Sequence, residues 1–142
     1  MQFELDTTNS IEPKLLKKRD GKLLVDIQGR LEVLVNDKCF FLEPSLALLE
    51  FGIAFRKWDR KRDFYYYTIE HDESEGPILT FNHKGDNHWY VFSIWQEFES
   101  KESLTINMIR EAVDPFLLEL DGELLRNYGF KIDDFLKSKW LF

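Results

Sequence analysis

His83, Asp86 and His88 form a His-x-x-Asp-x-His pattern near the middle of the chain. Imidazole and carboxylate are the groups that bind zinc or form a hydrolytic dyad. A closed zinc site needs about four protein ligands, and an open catalytic one about three plus a water. This pattern lies between two strand-like runs, where Gly85, Asp86 and Asn87 are also ordinary turn residues. Two readings follow: a plain turn, or the working loop of a small hydrolytic or metal-dependent enzyme.

The remaining polar clusters carry less chemistry. His71-Asp72-Glu73-Ser74-Glu75 is acidic but lacks the ligand spacing of a calcium loop. Glu97, Glu99 and Glu102 follow an apolar run in a part of the chain that is acidic generally, so they read as solvated carboxylates rather than an acid–base pair. Cys39 sits beside Phe40 and Phe41 with no histidine near it in sequence, and reads as a buried structural thiol. There is no phosphate-binding glycine loop, no Gly-x-Ser-x-Gly elbow, no Cys-x-x-Cys and no His-Glu-x-x-His. The leading expectation is therefore a non-enzymatic protein with no catalytic residues, no cofactor and no resident metal.

The elements that would hold these residues can be read from periodicity. Phe3 and Leu5 alternate with polar neighbours as a short strand. Glu12 to Arg19 is a basic loop or short helix. Leu23, Val25 and Ile27 alternate, as do Leu31, Val33 and Val35, with Gln28-Gly29 as the turn between them. Asn36-Asp37 tolerates positive φ and closes a tight hairpin onto Cys39-Phe40-Phe41-Leu42. Pro44 suits a first helical turn, and Leu48, Phe51, Phe55 and Trp58 mark an amphipathic helix over Ser45 to Arg60. Further strands are expected at Asp63–Ile69, Pro77–Asn82 and His88–Gln96, the last apolar on both faces and so central. Ile106 to Leu124 is helical by spacing. Asp114-Pro115 either kinks it or opens a second helix, and Gly129 caps it. A short last helix is expected over Ile132–Lys139, followed by the apolar Trp140-Leu141-Phe142. The expected fold is α+β: one antiparallel sheet of five to seven strands, an inserted amphipathic helix, and C-terminal helices packed on one face.

The chain has 142 residues, with 44% hydrophobic and 32% charged, which fits a single domain over residues 1–142 with its own core. One cysteine and an N-terminus without an apolar leader read as cytoplasmic, and no apolar run reaches the roughly 20 residues of a membrane helix. Residues 1–62 carry 12 basic and 10 acidic groups, whereas 63–142 carry 7 basic and 16 acidic. That balance argues against a nucleic-acid partner. It leaves two readings of the acidic half: a solvated surface that keeps the chain soluble, or a field that steers a basic protein. With 13 Phe, 5 Tyr and 4 Trp, some aromatic surface is left over for an interface. Asp72, Glu73, Glu75, Glu97, Glu99 and Glu102 are the expected partner contacts. A self-associating structural protein that docks Trp140-Leu141-Phe142 on a neighbour is a further reading.

Leu34-Val35-Asn36-Asp37, Phe40-Phe41-Leu42-Glu43-Pro44, Leu48-Leu49-Glu50-Phe51, Phe64-Tyr65-Tyr66 and Trp89-Tyr90-Val91-Phe92-Ser93-Ile94-Trp95-Gln96 together resemble a family of small uncharacterised cytosolic proteins of Bacillus-type bacteria. The resemblance is one of pattern and spans about residues 20–130. Proteins of this kind sit in polymorphic-toxin neighbourhoods and are suspected immunity proteins. The resemblance implies an acidic protein that neutralises a basic toxin domain by occlusion. It carries over no catalytic residue.

Overall fold

The computed structural model describes residues 1–8, 10–68 and 73–136. Among the described residues, six strands and five α-helices run in the order β1 (Gln2–Leu5), α1 (Pro13–Lys18), α2 (Leu23–Asp26), β2 (Gln28–Val35), β3 (Lys38–Ala47), α3 (Leu48–Lys57), β4 (Phe64–Tyr66), β5 (Leu79–His83), β6 (Trp89–Phe92), α4 (Ile106–Tyr128) and α5 (Ile132–Leu136), with a 3-10 turn at Glu73–Glu75 between β4 and β5. The fold is α+β. The strands form two antiparallel three-stranded sheets, β1-β2-β3 and β4-β5-β6, and not one sheet of five to seven strands.

The separation has a local cause at β3. Its register against β2 slips between Gly29 and Leu31, which sets Pro44 and Ser45 together opposite Arg30. Proline has no N–H to give a neighbouring strand and is tolerated at such a bulge. Nearby, the Glu97 N–H donates to the Phe40 carbonyl at 2.7 Å. The outer edge of β3 is thus taken up before a strand of the second half could pair with it. Pro44 belongs to this strand and does not open a helix, and α3 starts only at Leu48.

The hairpin at Asn36-Asp37 forms as expected, with φ of 53° and 63° closing a two-residue loop between Val35 and Lys38. The alternation at Leu23, Val25 and Ile27 misleads. Leu23, Leu24 and Ile27 are the buried residues, a helical spacing; α2 carries the first two and Ile27 caps its end. The place expected for that segment, beside β2, belongs to β1, which pairs with β2 from Leu5–Gly29 to Gln2–Glu32. Gly29 is therefore no turn. It lies inside β2, where an added Cβ would stand 2.3 Å from the Glu4 carbonyl oxygen.

Helix α3 is the hub. Leu48, Leu49, Phe51, Gly52, Ile53 and Phe55 are all buried, so it is apolar on nearly every side. Phe55 stacks on Phe64 of β4 at 4.6 Å, and Phe51 meets Tyr66 at 4.9 Å and Phe116 of α4 at 5.5 Å. Phe116 also meets Phe3 of β1 at 5.3 Å, which ties α4 to the first sheet. Tyr66 is buried in this cluster and donates its hydroxyl to Glu50 Oε1 at 2.9 Å. Burial and the Glu50 carboxylate push the Tyr66 phenol far above its ordinary range.

Helix α4 runs unbroken for 23 residues through Asp114-Pro115. Thr105 caps its start by accepting the Met108 N–H at 3.1 Å, and Gly129, at φ 79°, ends it. Arg60 pairs with Asp114, and that guanidinium holds the Asp114 carboxyl below the usual carboxylate range. Asp121 joins three helices: Oδ2 accepts from Arg56 of α3 at 2.8 Å, and Oδ1 accepts the Ile132 N–H of α5 at 2.9 Å. Trp140, Leu141 and Phe142 lie outside the described residues, as does the end of the last expected helix.

Candidate functional site

The His-x-x-Asp-x-His residues do not converge. His83 ends β5, and both its ring nitrogens face main-chain carbonyls: Nδ1 stands 3.2 Å from Lys61 O and Nε2 2.6 Å from Asp86 O. The ring also stacks on Trp89 at 4.4 Å. Asp86 meets His83 through its carbonyl, not its carboxylate, and lies at φ 47° beside Gly85 at φ 93°. It shapes the β5–β6 hairpin. His88 turns to Ser103, with Nδ1 2.9 Å from its Oγ. Among the described residues no group of three or more His, Cys, Asp or Glu stands close enough to hold a metal ion.

The acidic residues are better organised. The segment after β6 is held as a strap. Ser93 is fully buried, and its hydroxyl accepts the Trp95 N–H at 3.0 Å while its carbonyl accepts the Gln96 N–H at 3.2 Å. This tight turn lays Trp95 parallel to Phe41, 6.1 Å away, and leaves the indole 39% exposed. Next, the Glu97 main chain bonds Phe40, and Phe98 packs its ring edge-on to Phe40 at 5.5 Å. Phe98 faces inward, so Glu97 and Glu99 on either side face out. The hairpin turn then reaches over: Asn36 Nδ2 donates to Glu102 Oε2 at 2.6 Å. Finally, Leu104 and Trp89 exchange main-chain bonds at 2.7 and 2.9 Å, returning the strap to the second sheet.

The sequence-expected contacts therefore divide. Glu97, Glu99 and Glu102 share the strap and are exposed. Glu75 is exposed at the end of a 3-10 turn. It adjoins Gly76, where an added Cβ would stand 2.8 Å from Ile94, so Glu75 flanks the Trp95 end. Glu73 opens that turn and is described for its backbone alone, and Asp72 lies outside the described residues.

Other parts of this face escape the sequence. Glu32 pairs across the strands with Leu42, which is 39% exposed. Cys39 is half-buried, not buried. Burial first, and then the Glu32 and Glu97 carboxylates, push its thiol up. A thiol held up in this way lacks the depressed pKa of a nucleophile, and the Glu32 and Glu97 carboxylates both act on the one sulfur. Only the alternation of β2 hinted at Glu32, and nothing local linked it to Glu97.

Beta-strand β6 was expected to be central and covered on both sides. It is an edge strand instead, with Trp89 and Val91 buried and Phe92 41% exposed. Tyr65, Thr80 and Phe92 lie in one cross-strand row on the outer face, with Tyr65 52% exposed. No helix among the described residues is long and apolar enough to cross a membrane.

No curated protein and no solved structure matches the chain. Residues 1–126 match the model of a family described as Domain of unknown function (DUF7878), and the chain belongs to that family.

Proposed function

We propose that this protein acts by binding another protein and that its strap face is the contact surface. One observation carries the reading. The carboxylates of Glu97, Glu99 and Glu102 stand exposed on a segment fixed by main-chain bonds at Glu97 and Leu104, next to a flat, stacked Trp95. A rigid aromatic anchor flanked by like charges fits a partner that brings basic groups around an apolar pocket. Glu32 and Glu75 extend the same field on neighbouring segments. The protein makes and breaks no bonds in this reading.

The finer form of the proposal is a cytoplasmic immunity protein that covers the basic substrate surface of a toxin domain. The resemblance drawn from the sequence supports it, together with the acidic excess of residues 63–142. The test is a pull-down from the native host with the wild type and with Glu97→Lys, Glu99→Lys, Glu102→Lys combined, at low and high salt. A specific protein retained by the wild type at low salt, released by high salt and missed by the triple variant is expected. Equal retention by both proteins, or no partner at low salt, overturns the proposal.

A further inference from the structure

The two sheets are not joined, and a cavity of about 150 Å³ lies between them. Val33 and Val35 wall it from β2, and the cross-strand pair Phe81–Val91 walls it from the second sheet. Ile109 and Ala112 of α4 close a third side. Leu104 adds a fixed edge, tied to Trp89 by two main-chain bonds of 2.7 and 2.9 Å. The cavity reaches the surface at Asn36, which is exposed, and at Met108, which is 47% exposed. An unbranched methionine turns aside at little cost, so Met108 serves as a yielding entrance.

Small residues keep this space open. Elsewhere the core is filled by Phe40, Phe41, Phe51, Phe55 and Phe116, all buried. Here the walls use three valines and an alanine. Their side chains forgo contacts across the void, a cost that one larger residue would remove.

The lining also selects an occupant. None of its side chains is ionisable, and Asn36 is the one polar side chain among them. Asn36 Nδ2 donates to Glu102 Oε2 at 2.6 Å, which sets a carboxylate beside the mouth. The Met1 ammonium, at the edge, already has Glu119 and Glu32 as counter-charges. An anion would meet Glu102, a cation would meet the ammonium, and either would lose hydration against apolar walls. An apolar space of about 150 Å³ suits a molecule about the size of a benzene ring.

We propose that the cavity between the two sheets binds a small neutral apolar molecule of about six to nine non-hydrogen atoms, admitted past Met108. Its test needs no partner protein and stands apart from the reading of the strap.

The full chain, methyl-labelled, is titrated with indole and followed by NMR. Saturable shifts are expected at the methyls of Val33, Val35, Val91, Ile109 and Ala112, with a Kd of about 1 mM or tighter. Benzoate and benzylammonium, similar in size but charged, bind at least about tenfold more weakly. Ala112→Leu fills the cavity with a residue that suits a helix, and lowers indole affinity by about tenfold or more. Val33→Ile, which keeps the strand preference of β2, is the second filling variant and lowers it by about threefold or more. No saturable shift at these methyls, equal affinity for the charged probes, or indole binding untouched by both folded variants each overturns the proposal. Concentration-dependent doubling of mass that Ala112→Leu abolishes would overturn it too, by assigning the cavity to a side chain of a second copy.

Discussion

Gly29→Ala tests the way β1 is seated. The added methyl carbon would stand 2.3 Å from the Glu4 carbonyl oxygen, 2.6 Å from Leu48 Cδ1 and 2.9 Å from Leu5 Cα. Ordinary contacts at such a carbon begin near 3.4 Å, so β1 must move by about an ångström. Leu48 gives little room because it is fully buried at the start of α3. Overpacking of this kind costs about 1–3 kcal/mol. Alanine returns about 0.4–1 kcal/mol by restricting the unfolded chain. The net expectation is a loss of about 1–2 kcal/mol, a sizeable share of a stability of about 5–15 kcal/mol. Urea unfolding measures it as a lower midpoint at unchanged slope. Amide exchange localises it: the Asp6 N–H, bonded to Gln28, should exchange faster in the variant. Gly52→Ala is the control. There the crowding atoms are the side-chain ends of Leu120 and Ile132, at 2.8 and 2.9 Å, which can yield. With alanine's helical preference of about 1 kcal/mol in compensation, Gly52→Ala should lie within about 1 kcal/mol of the wild type. A Gly29→Ala variant as stable as wild type, with Asp6 still protected, would show that β1 does not sit against Gly29 in this way.

Three further outcomes are expected. Tyr66→Phe removes the hydroxyl that Glu50 accepts and costs about 1–2 kcal/mol in urea unfolding. The folded-state pKa of Tyr66 lies above its ordinary value of 10.0, so its contribution is whole below about pH 10 and fades as pH rises toward the folded value. The wild type should lose stability above about pH 10 more steeply than Tyr66→Phe, and parallel curves would count against the burial argument. Cys39, raised by burial and two carboxylates, should react with iodoacetamide at neutral pH about tenfold more slowly in the folded chain than in denaturant; equal rates would contradict its placement. Asp121→Ala should cost about 1–3 kcal/mol and free the Ile132 amide for exchange, because both its Arg56 and Ile132 bonds are lost together. An unchanged Ile132 amide would show that α5 is held without it.

Features settled within a few residues were legible in the sequence. Asn36-Asp37 announces a two-residue hairpin because two consecutive positive φ values suit few other pairs. Gly129 marks the end of α4 for the same steric reason. What failed was partner choice across long stretches of chain. Alternation at Leu23–Ile27 is also satisfied by one helical turn, and only the seating of β1 beside β2 decides between them. Pro44 reads as a helix start until the β2 register shows the bulge that accepts it. The two-sheet arrangement was hidden because the edge of β3 is taken by Glu97, 57 residues beyond Phe40. The candidate site was half legible: Glu97, Glu99 and Glu102 stand out by spacing, whereas Trp95 as their anchor depends on a stack with Phe41. The His83 ring, bonded to the carbonyls of Lys61 and Asp86, shows why a pattern of reactive residue types does not by itself make a reactive site.

The most direct measurement of the central claim is the affinity of the purified partner for the wild type and for Trp95→Ala, Glu99→Lys combined, by calorimetry at low and high salt. Tight binding that salt weakens is expected, with a loss of about a hundredfold or more in the double variant, whose unfolding midpoint stays close to that of the wild type. Binding of equal strength by both proteins, indifferent to salt, would contradict it.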